Sequence, residues 1–291
     1  MAQPDTFITL FEHPAPAAGS TTRVLVHRHP LLVRLTHWLN VVCLSVLLLS
    51  GLQIFNAHPA LYWGEQSRFD RPLFAMAAQE GASGELVGRT SLLGRSVDTT
   101  GFLGVSSGAD GAPAARGFPA WLTLPSGQDL AAGRRWHFLF AWAFVLNGVA
   151  YLVYAVLSGH AWRRLLPTGE QLRGMRGTIA EHLRLHFPLG EEARHYNVLQ
   201  KLTYLAIIFV VLPVVVLTGL TMSPGMNAAM PELVTVFGGR QSARTIHFLA
   251  AGALVLFVLV HVGLVLVSGF WNAMRSMITG RYAIDVREGA P

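Results

Sequence analysis

Four long runs of predominantly apolar residues, separated by polar and glycine-rich segments, dominate the pattern along this chain. The runs cover about residues 31–55, 134–158, 200–222 and 245–270. A helix needs about 20 apolar residues to cross the hydrocarbon core of a bilayer, so each run is long enough. The composition, 52% hydrophobic and 13% charged, also fits an integral membrane protein better than a soluble one. The pattern predicts an all-α membrane protein, a bundle of four transmembrane helices.

The connections between the runs set the expected organisation and orientation. The expected parts are an N-terminal tail of residues 1–30, a four-helix domain of residues 31–285 that contains loop 58–133 and segment 159–197, and a tail of residues 286–291. Segment 159–197 is rich in arginine, whereas the connection between the third and fourth runs has only Arg240 and Arg244. Because basic residues beside membrane helices mark the cytoplasmic side, we expect both termini in the cytoplasm and loop 58–133 outside.

Two histidines in the fourth run, His247 and His261, are fourteen residues apart. Fourteen helical residues make almost four turns, so both imidazoles point from one helix face, about 21 Å apart along the axis. An imidazole inside hydrocarbon is unfavourable and usually functional, and neutral imidazole is a common axial ligand of haem iron. The spacing predicts two stacked haem sites.

Each iron needs a second ligand from another helix, and His37 and His137 stand near the beginnings of the first and second runs. The expected topology puts His37 near the cytoplasmic face and His137 near the outer face. His247 begins the fourth run outside, and His261 lies deeper toward the cytoplasm. The depths predict the iron ligand pairs His37 with His261 and His137 with His247. The alternative is that these histidines are polar contacts between helices or a proton path.

The chain has one cysteine, Cys43. Covalent c-type attachment needs a Cys-x-x-Cys-His sequence, so both haems are expected to be of the b type, held without covalent bonds.

An arginine stands three residues before three of the four histidines, at Arg34, Arg134 and Arg244. That offset puts guanidinium and imidazole on one helix face, where the guanidinium can pair with an anionic haem propionate. The alternative is that these arginines only anchor the helices at the membrane surface.

Three glycines inside the runs, Gly51, Gly148 and Gly219, could let a flat macrocycle approach a helix closely. Glycine is also common wherever two membrane helices touch, so this indication is not specific.

The remaining histidines have simpler explanations. The histidines expected to be solvated lie in tails or loops: His13, His27, His29, His58 and His160. His182 and His186 resemble a weak metal pair, but a surface helix capped by Thr168, with Gln171 three residues later, explains that segment more simply.

The chain resembles the bacterial dihaem b-type cytochromes that serve as membrane subunits of nickel–iron hydrogenases, formate dehydrogenases and thiosulfate reductases. The resemblance rests on residues 34–38, on residues 134–138 and on the spacing of His247 and His261. It covers residues 31–55 and about 134–285. It implies a multi-pass protein of the bacterial inner membrane.

The sequence Tyr196-Asn197-Val198-Leu199-Gln200-Lys201 is similar to that family's aromatic-Asn-x-x-Gln-Lys signature, at the cytoplasmic start of the third helix. In the family the asparagine lies near the cytoplasmic haem, in a quinone pocket. The resemblance therefore implies that Tyr196, Asn197, Gln200 and Lys201 bind quinone. The alternative is an interfacial belt, in which Tyr196 and Lys201 only anchor the helix.

The middle of loop 58–133 is rich in glycine and serine and has no helical periodicity, which argues against a packed catalytic domain. Residues near its ends could anchor a cap over the outer haem: Trp63, Phe118, Trp121 and Pro125. The loop is expected to be either a docking surface for an electron-carrying partner or a partly disordered insertion.

Together these patterns predict an electron-transfer subunit of a respiratory oxidoreductase complex, with two b haems between the quinone pool and a periplasmic partner. By resemblance, the partner is a molybdopterin oxidoreductase or a c-type cytochrome, and no nucleic acid is expected to bind. Two alternatives are a stand-alone haem protein that oxidises superoxide and reduces quinone, and a haem-free membrane anchor or transporter.

Overall fold

The computed structural model of the chain describes residues 21–159, 166–175, 177, 179 and 198–287. Four of its helices are long and apolar enough to cross a membrane: the first span Leu31–Asn56, the second span Leu130–Leu157, the third span Val198–Thr221 and the fourth span Arg240–Val267. The predicted class, a membrane protein with four transmembrane helices, is confirmed. The side of the membrane that each terminus faces stays a prediction.

Shorter elements lie between and after the spans. The strands are β1 Thr21–His27, β2 Ala60–Leu61, β3 Phe74–Glu80, β4 Leu86–Leu92, β5 Arg95–Asp98, β6 Val105–Ser107, β7 Pro113–Ala115 and β8 Arg281–Arg287. The short helices are Ala120–Leu122, Gly169–Arg173, Pro224–Ala229, Pro231–Val236 and Phe270–Thr279.

The described residues belong to two compact units. The terminal unit takes residues from 1–37, 150–206 and 257–291, and the central unit takes those from 38–149 and 207–256.

In the central unit, the connection between the first and second spans folds into β-structure. Strands β2, β3, β4 and β5 form one antiparallel sheet in that order, and β6 pairs with β7. The expectation of a partly disordered insertion is therefore wrong, and the strands were not predicted.

The glycines of this connection supply its turns. Leu93 and Gly94, both with positive φ, connect the paired residues Leu92 and Arg95, which is the geometry of a two-residue hairpin. Gly84 takes the same left-handed conformation between β3 and β4. A composition that suggested disorder therefore reflects tight turns between short strands.

A small aromatic core joins this sheet to the ends of two spans. Phe55 at the end of the first span is buried with Leu61 and Met76, and the ring of Phe248 in the fourth span lies 4.7 Å from that of Phe55 between centroids. Burying such a side chain contributes about 1.5 to 3 kcal/mol, so this contact fixes the sheet on the helices.

Residues 58–64 form a segment, the outer clasp, that caps the beginning of the fourth span. The Gly64 carbonyl accepts hydrogen bonds from the backbone N–H groups of Gln241 and Ser242, at 3.0 and 3.1 Å. The Gly64 N–H in turn donates to the Ser242 hydroxyl at 2.7 Å. These bonds satisfy helix N–H groups that have no partner inside the helix.

The third span changes geometry in its middle, where Ile207–Val211 is a π-helix. Pro213 lies two residues after it. Proline has no N–H to donate to the preceding turn, and its ring crowds a carbonyl of that turn. A π-helical turn accommodates this defect without ending the span.

In the terminal unit, β1 and β8 pair antiparallel, with His27 opposite Arg281. Asn272 in helix Phe270–Thr279 donates to the Ala283 carbonyl at 2.8 Å and accepts from the Ala283 N–H at 2.9 Å, which ties β8 to that helix.

Candidate functional site

The terminal unit brings His37 and His261 together. Their ring centroids are 6.4 Å apart, and the ring planes are inclined by 57°. The ring of Phe257, one turn before His261, stacks on the His261 imidazole at 5.8 Å. We call His37 and His261 the inner pair, after the side expected from the arginine distribution.

The central unit brings His137 and His247 together in the same way. Their ring centroids are 6.3 Å apart, with an interplanar angle of 62°. We call this the outer pair. The structure thus joins the histidines in the combinations that the expected depths predict.

These separations can be compared with the requirement of a metal held between two imidazoles. A metal–imidazole bond is about 2 Å long and a ring nitrogen lies about 1.2 Å from its ring centroid, so two opposed ligands have centroids roughly 6.4 Å apart. Both pairs have this separation. The residues present therefore fit a bis-histidine haem at each pair.

The hydrogen bonds of His247 fix its tautomer. Its Nδ1 lies 2.9 Å from the Val215 carbonyl oxygen and 3.2 Å from the Thr218 hydroxyl. A carbonyl oxygen can only accept, so Nδ1 carries the hydrogen and Nε2 keeps the lone pair that binds a metal.

His137 has a matching environment on the first span. Its Nδ1 lies 3.1 Å from the Ser50 hydroxyl, and it also hydrogen-bonds the Leu47 backbone. The Ser50 hydroxyl donates to the Val46 carbonyl at 2.6 Å, so it accepts from the histidine. Nδ1–H is again the donor, and Nε2 is left for a metal.

The glycines beside these hydroxyls lie against the same imidazoles. A Cβ added to Gly51 would lie 3.4 Å from Cε1 of His137, and one added to Gly219 would lie 3.3 Å from Cε1 of His247. Gly148 has no atom within 4 Å of such a Cβ. Gly51 and Gly219 therefore give room to the histidine rings, a role that the sequence analysis missed.

Ser50 and Thr218 were not predicted as site residues. Both are fully buried, and they occur in the similar sequences VLLLSG and VVVLTG of the first and third spans. This small repeat could have pointed to the two hydroxyls, although the sequence does not show which helices pack together.

The three arginines proposed for propionates have different surroundings. The Arg34 guanidinium donates to the Ile278 carbonyl and that of Arg244 to the His58 carbonyl, while Arg134 lies over the Phe138 ring at 5.5 Å. Within the described ranges, no carboxylate lies at ion-pair distance from any of the three. Their charge is available to an anionic ligand.

The outer clasp holds Arg244 from two sides. Its guanidinium lies 5.3 Å over the Phe55 ring, in addition to its bond to His58. One residue later, the Thr245 hydroxyl donates to the Tyr62 carbonyl at 2.6 Å. The start of the fourth span is thereby fixed one turn before His247.

His58 is packed rather than solvated, so that expectation is wrong. Its ring stacks on Tyr62 at 5.6 Å, and Phe69 meets it edge-on at 5.7 Å. Its Nε2 is buried and has no hydrogen-bond partner in the described part of the chain. Burial lowers the pKa of the His58 imidazole below its usual range, and the Arg244 charge lowers this pKa further.

His29 is nearly buried as well, with 9% of its surface exposed, so the expectation of solvation also fails there.

The proposed cap residues of the outer loop have different positions. Phe118 lies 6.1 Å from Phe55 and joins the core, and the Leu124 N–H, just before Pro125, donates to the Leu49 carbonyl. The two tryptophans, Trp63 and Trp121, are 59% and 69% exposed, and the Trp121 ring lies 6.4 Å from that of Phe102 between centroids.

Two residues of the proposed quinone site, Tyr196 and Asn197, lie outside the described residues, as do His13, His160, His182 and His186. Gln200 lies in the first turn of the third span.

Lys201 is buried, and its ammonium donates to the Leu166 carbonyl at 3.1 Å and to Oε1 of Gln171 at 3.0 Å. Gln171 also completes the capping box with Thr168 that begins helix Gly169–Arg173, as the sequence predicts. Lys201 thus ties this short helix to the third span.

Comparison with known proteins places the chain in a family. A family model described as prokaryotic cytochrome b561 matches residues 28–280. The putative protein-methionine-sulfoxide reductase subunit YedZ1 of Azospira oryzae is 28% identical over 237 residues, which cover 81% of this chain and 89% of that protein. No solved structure matches. The expected resemblance is confirmed: the chain belongs to the prokaryotic cytochrome b561 family and is a multi-pass electron-transfer subunit of the bacterial inner membrane that binds b-type haem.

Proposed function

We propose that the chain binds two b haems, at the inner and outer pairs, and passes electrons between the quinone pool on the cytoplasmic side and a periplasmic oxidoreductase. The observation that carries this proposal is the separation within each pair, 6.4 and 6.3 Å between ring centroids. Two sites on one helix, each with its second histidine from another span, provide a route across the membrane.

The residues have different roles in this proposal. Bound haem supplies a one-electron couple at its iron. His37, His137, His247 and His261 are the proposed axial ligands, and Ser50 and Thr218 keep the outer ligands in the tautomer that binds metal. Arg34, Arg134 and Arg244 are proposed to pair with propionates. The apolar faces of the spans exclude water from both sites.

Haem quantification tests the proposal directly. The purified protein should contain two haems per chain, which acid acetone extracts because no Cys-x-x-Cys-His sequence attaches them. A Soret band with a ratio of one haem per chain would contradict the two-site assignment, and no Soret band would contradict haem binding altogether.

The proposed quinone pocket includes Tyr196, Asn197 and Gln200, by their match to the family signature. Lys201 is tied to Gln171, so we assign it the structural role of holding helix Gly169–Arg173 beside this pocket. Hydrogen bonds from Asn197 and Gln200 would orient a quinone head group near the inner pair.

Reduction by a quinol tests this pocket. Asn197→Leu keeps the size of the side chain but deletes its hydrogen bonds, a loss of about 1 to 3 kcal/mol of binding free energy. Quinol-driven haem reduction should slow, while dithionite-reduced spectra stay normal, and Gln200→Leu should act more weakly. Unchanged quinol kinetics in both variants would remove quinone binding from this segment.

Asn147→Leu is the matched control. Asn147 is buried in the second span and donates to Oδ1 of Asn40 in the first span at 2.7 Å. Its loss should disturb packing or haem loading rather than quinol kinetics alone.

The proposed partner is a periplasmic molybdopterin oxidoreductase or a c-type cytochrome. The YedZ1 relative is named as a putative subunit of a protein-methionine-sulfoxide reductase, which supports an oxidoreductase as the partner. The β-structure of the central unit carries exposed aromatic side chains at Trp63, Phe102 and Trp121. We propose this surface as the partner's docking face, because it belongs to the same unit as the outer pair.

Trp121→Asp should therefore slow electron exchange with the partner and leave quinol-driven haem reduction unchanged.

Superoxide-dependent quinone reduction by the purified chain, without any partner, would instead favour a stand-alone enzyme.

A further inference from the structure

Helix Phe270–Thr279 begins directly after the fourth span but has its own axis. The helical hydrogen bonds of the fourth span continue to Ser268, whose N–H donates to the Leu264 carbonyl at 2.9 Å. Gly269 then has φ +110° and ψ +71°, a left-handed conformation that ends an α-helix. The short helix therefore starts a new direction at the point where the membrane span ends.

One face of this helix packs against β8. Asn272 donates to the Ala283 carbonyl at 2.8 Å and accepts from the Ala283 N–H at 2.9 Å. In β8, Ala283 and Ile284 are buried, and so is Ser276 of the helix. Residues four apart lie one above the other on a helix, so Asn272 and Ser276 share the face that β8 covers.

Another face of the helix is apolar and exposed. Trp271 has 83% of its surface exposed and Ile278 has 61%. Seven residues make almost two helical turns, so both side chains point in one direction, about 10 Å apart along the axis. This direction is roughly 140° from that of the buried Ser276. Large apolar side chains that are exposed together on one face usually mark a contact with a membrane or another molecule.

The fourth span indicates what covers this face. Leu266 and Val267, the last residues of the span, are each 57% exposed, as side chains that face lipid must be. Trp271 follows them after three residues, and tryptophan is enriched where membrane helices reach the interface with water. The short helix contains Arg275 and no acidic residue, so its charge is compatible with lipid phosphates.

We propose that helix Phe270–Thr279 lies in the plane of the membrane surface, with Trp271 and Ile278 inserted among the acyl chains below the lipid headgroups. β8 then lies on the water side of the helix, because it covers the other face. The pair of strands β1 and β8 is thereby held at the membrane surface through Asn272. This inference depends on the fourth span and not on haem.

Fluorescence quenching in lipid nanodiscs tests this position. A fluorophore is attached to Trp271→Cys and, in a second variant, to Ile278→Cys; both side chains are exposed, so neither change should disturb packing. Cys43, the one cysteine of the chain, is fully buried, so the unchanged protein is the labelling blank. The controls are Leu259→Cys, exposed deeper in the fourth span, and Ser96→Cys, exposed on β5.

Two kinds of quencher are compared: iodide in the water, and phospholipids with a doxyl group on the acyl chain, placed either near the headgroup or near the chain end. The probes at positions 271 and 278 should lose most emission with the doxyl group near the headgroup. The Leu259→Cys probe should lose most with the doxyl group near the chain end. The Ser96→Cys probe should respond to iodide alone.

Two results would overturn the proposal. Iodide quenching at positions 271 and 278 as strong as at Ser96→Cys, without doxyl quenching, would place the helix in water. Protection from both quenchers would show that protein covers the apolar face, for example a second copy of the chain.

A lipid cross-link in the unchanged protein gives a second measurement that needs no substitution. A phospholipid with a photoactivatable group near its headgroup should react with the peptide that contains Trp271, which mass spectrometry identifies. Cross-links to the fourth span without any to that peptide would contradict the proposal.

Discussion

Ser50 and Thr218 lie on different spans but make the same contact: each hydroxyl is within 3.1 to 3.2 Å of Nδ1 of a histidine in the outer pair. Each hydroxyl also donates to the carbonyl four residues earlier, at 2.6 Å. Both histidines of one proposed haem are therefore held by equivalent groups.

Removing these hydroxyls should raise the potential of the outer haem. A donating Nδ1–H makes an imidazole a stronger ligand, which favours oxidised iron. In Ser50→Ala or Thr218→Val, losing a bond of about 1 kcal/mol should raise the midpoint potential by up to about 40 mV. Optical redox titration measures this shift, and the inner haem should titrate as before. An unchanged outer potential in the double variant would show that the carbonyls alone hold both rings.

Replacing any one of the four histidines by alanine should remove one haem, and the two variants of one pair should lose the same haem. His137→Ala and His247→Ala should lose the same haem, and His37→Ala and His261→Ala the other, because each iron needs both ligands. Haem content and redox titration identify which haem remains. Loss of different haems in His137→Ala and His247→Ala would contradict the proposed pairing.

Enlarging Gly219 should damage the outer site. A Cβ there would lie 3.3 Å from Cε1 of His247, so the branched side chain of Gly219→Val would collide with the imidazole. We expect loss of the outer haem with the inner haem retained. Gly252→Val is the control, since Gly252 is exposed on the fourth span and has no atom within 4 Å of an added Cβ. Normal haem content in Gly219→Val would mean that the third span can move away.

His58 should make the stability of the protein sensitive to acid. The pKa of His58 is lowered in the folded chain, mainly by burial, so the unfolded chain binds its proton more readily. The stability that neutral His58 contributes is present above its unfolded pKa of about 6.5 and is lost as the pH falls through the lower folded value.

His58→Phe keeps the aromatic contact with Tyr62 and cannot be protonated. The decrease in Tm between pH 7.5 and pH 5, measured by a thermal shift assay, should be smaller in this variant. An equal decrease in both proteins would assign the acid sensitivity to other groups.

The four spans could be predicted from the length of their apolar runs, and the shared helix face of His247 and His261 from their spacing. Once the spans are known, the depth of each histidine follows from its place in the run. The structure joins the histidines accordingly, and their binding of iron stays a prediction.

The contacts of Ser50 and Thr218 could not be predicted in this way. A buried hydroxyl in a membrane helix commonly donates a hydrogen bond to a carbonyl of the preceding turn, as both do here. This bond does not indicate whether the hydroxyl also contacts a side chain of another helix. The neighbour depends on how helices pack.

The β-strands were missed for a different reason. Strand β3, with the sequence FAMAAQE, has little alternation of apolar and polar residues, and its partner β2 has only two residues. The turns between these strands contain glycines, and in the sequence such glycines resemble those of disordered segments.

The outer clasp connects the exposed Trp63 mechanically with His247, the proposed haem ligand of the fourth span. Trp63 is exposed next to Gly64, and Gly64 is bonded to the first backbone N–H groups of the helix that carries His247. A helix is stiff along its axis, so a force applied at Trp63 would be transmitted to the turn that carries His247. If a partner docks there and His247 holds a haem as proposed, docking and the properties of that haem would be mechanically coupled.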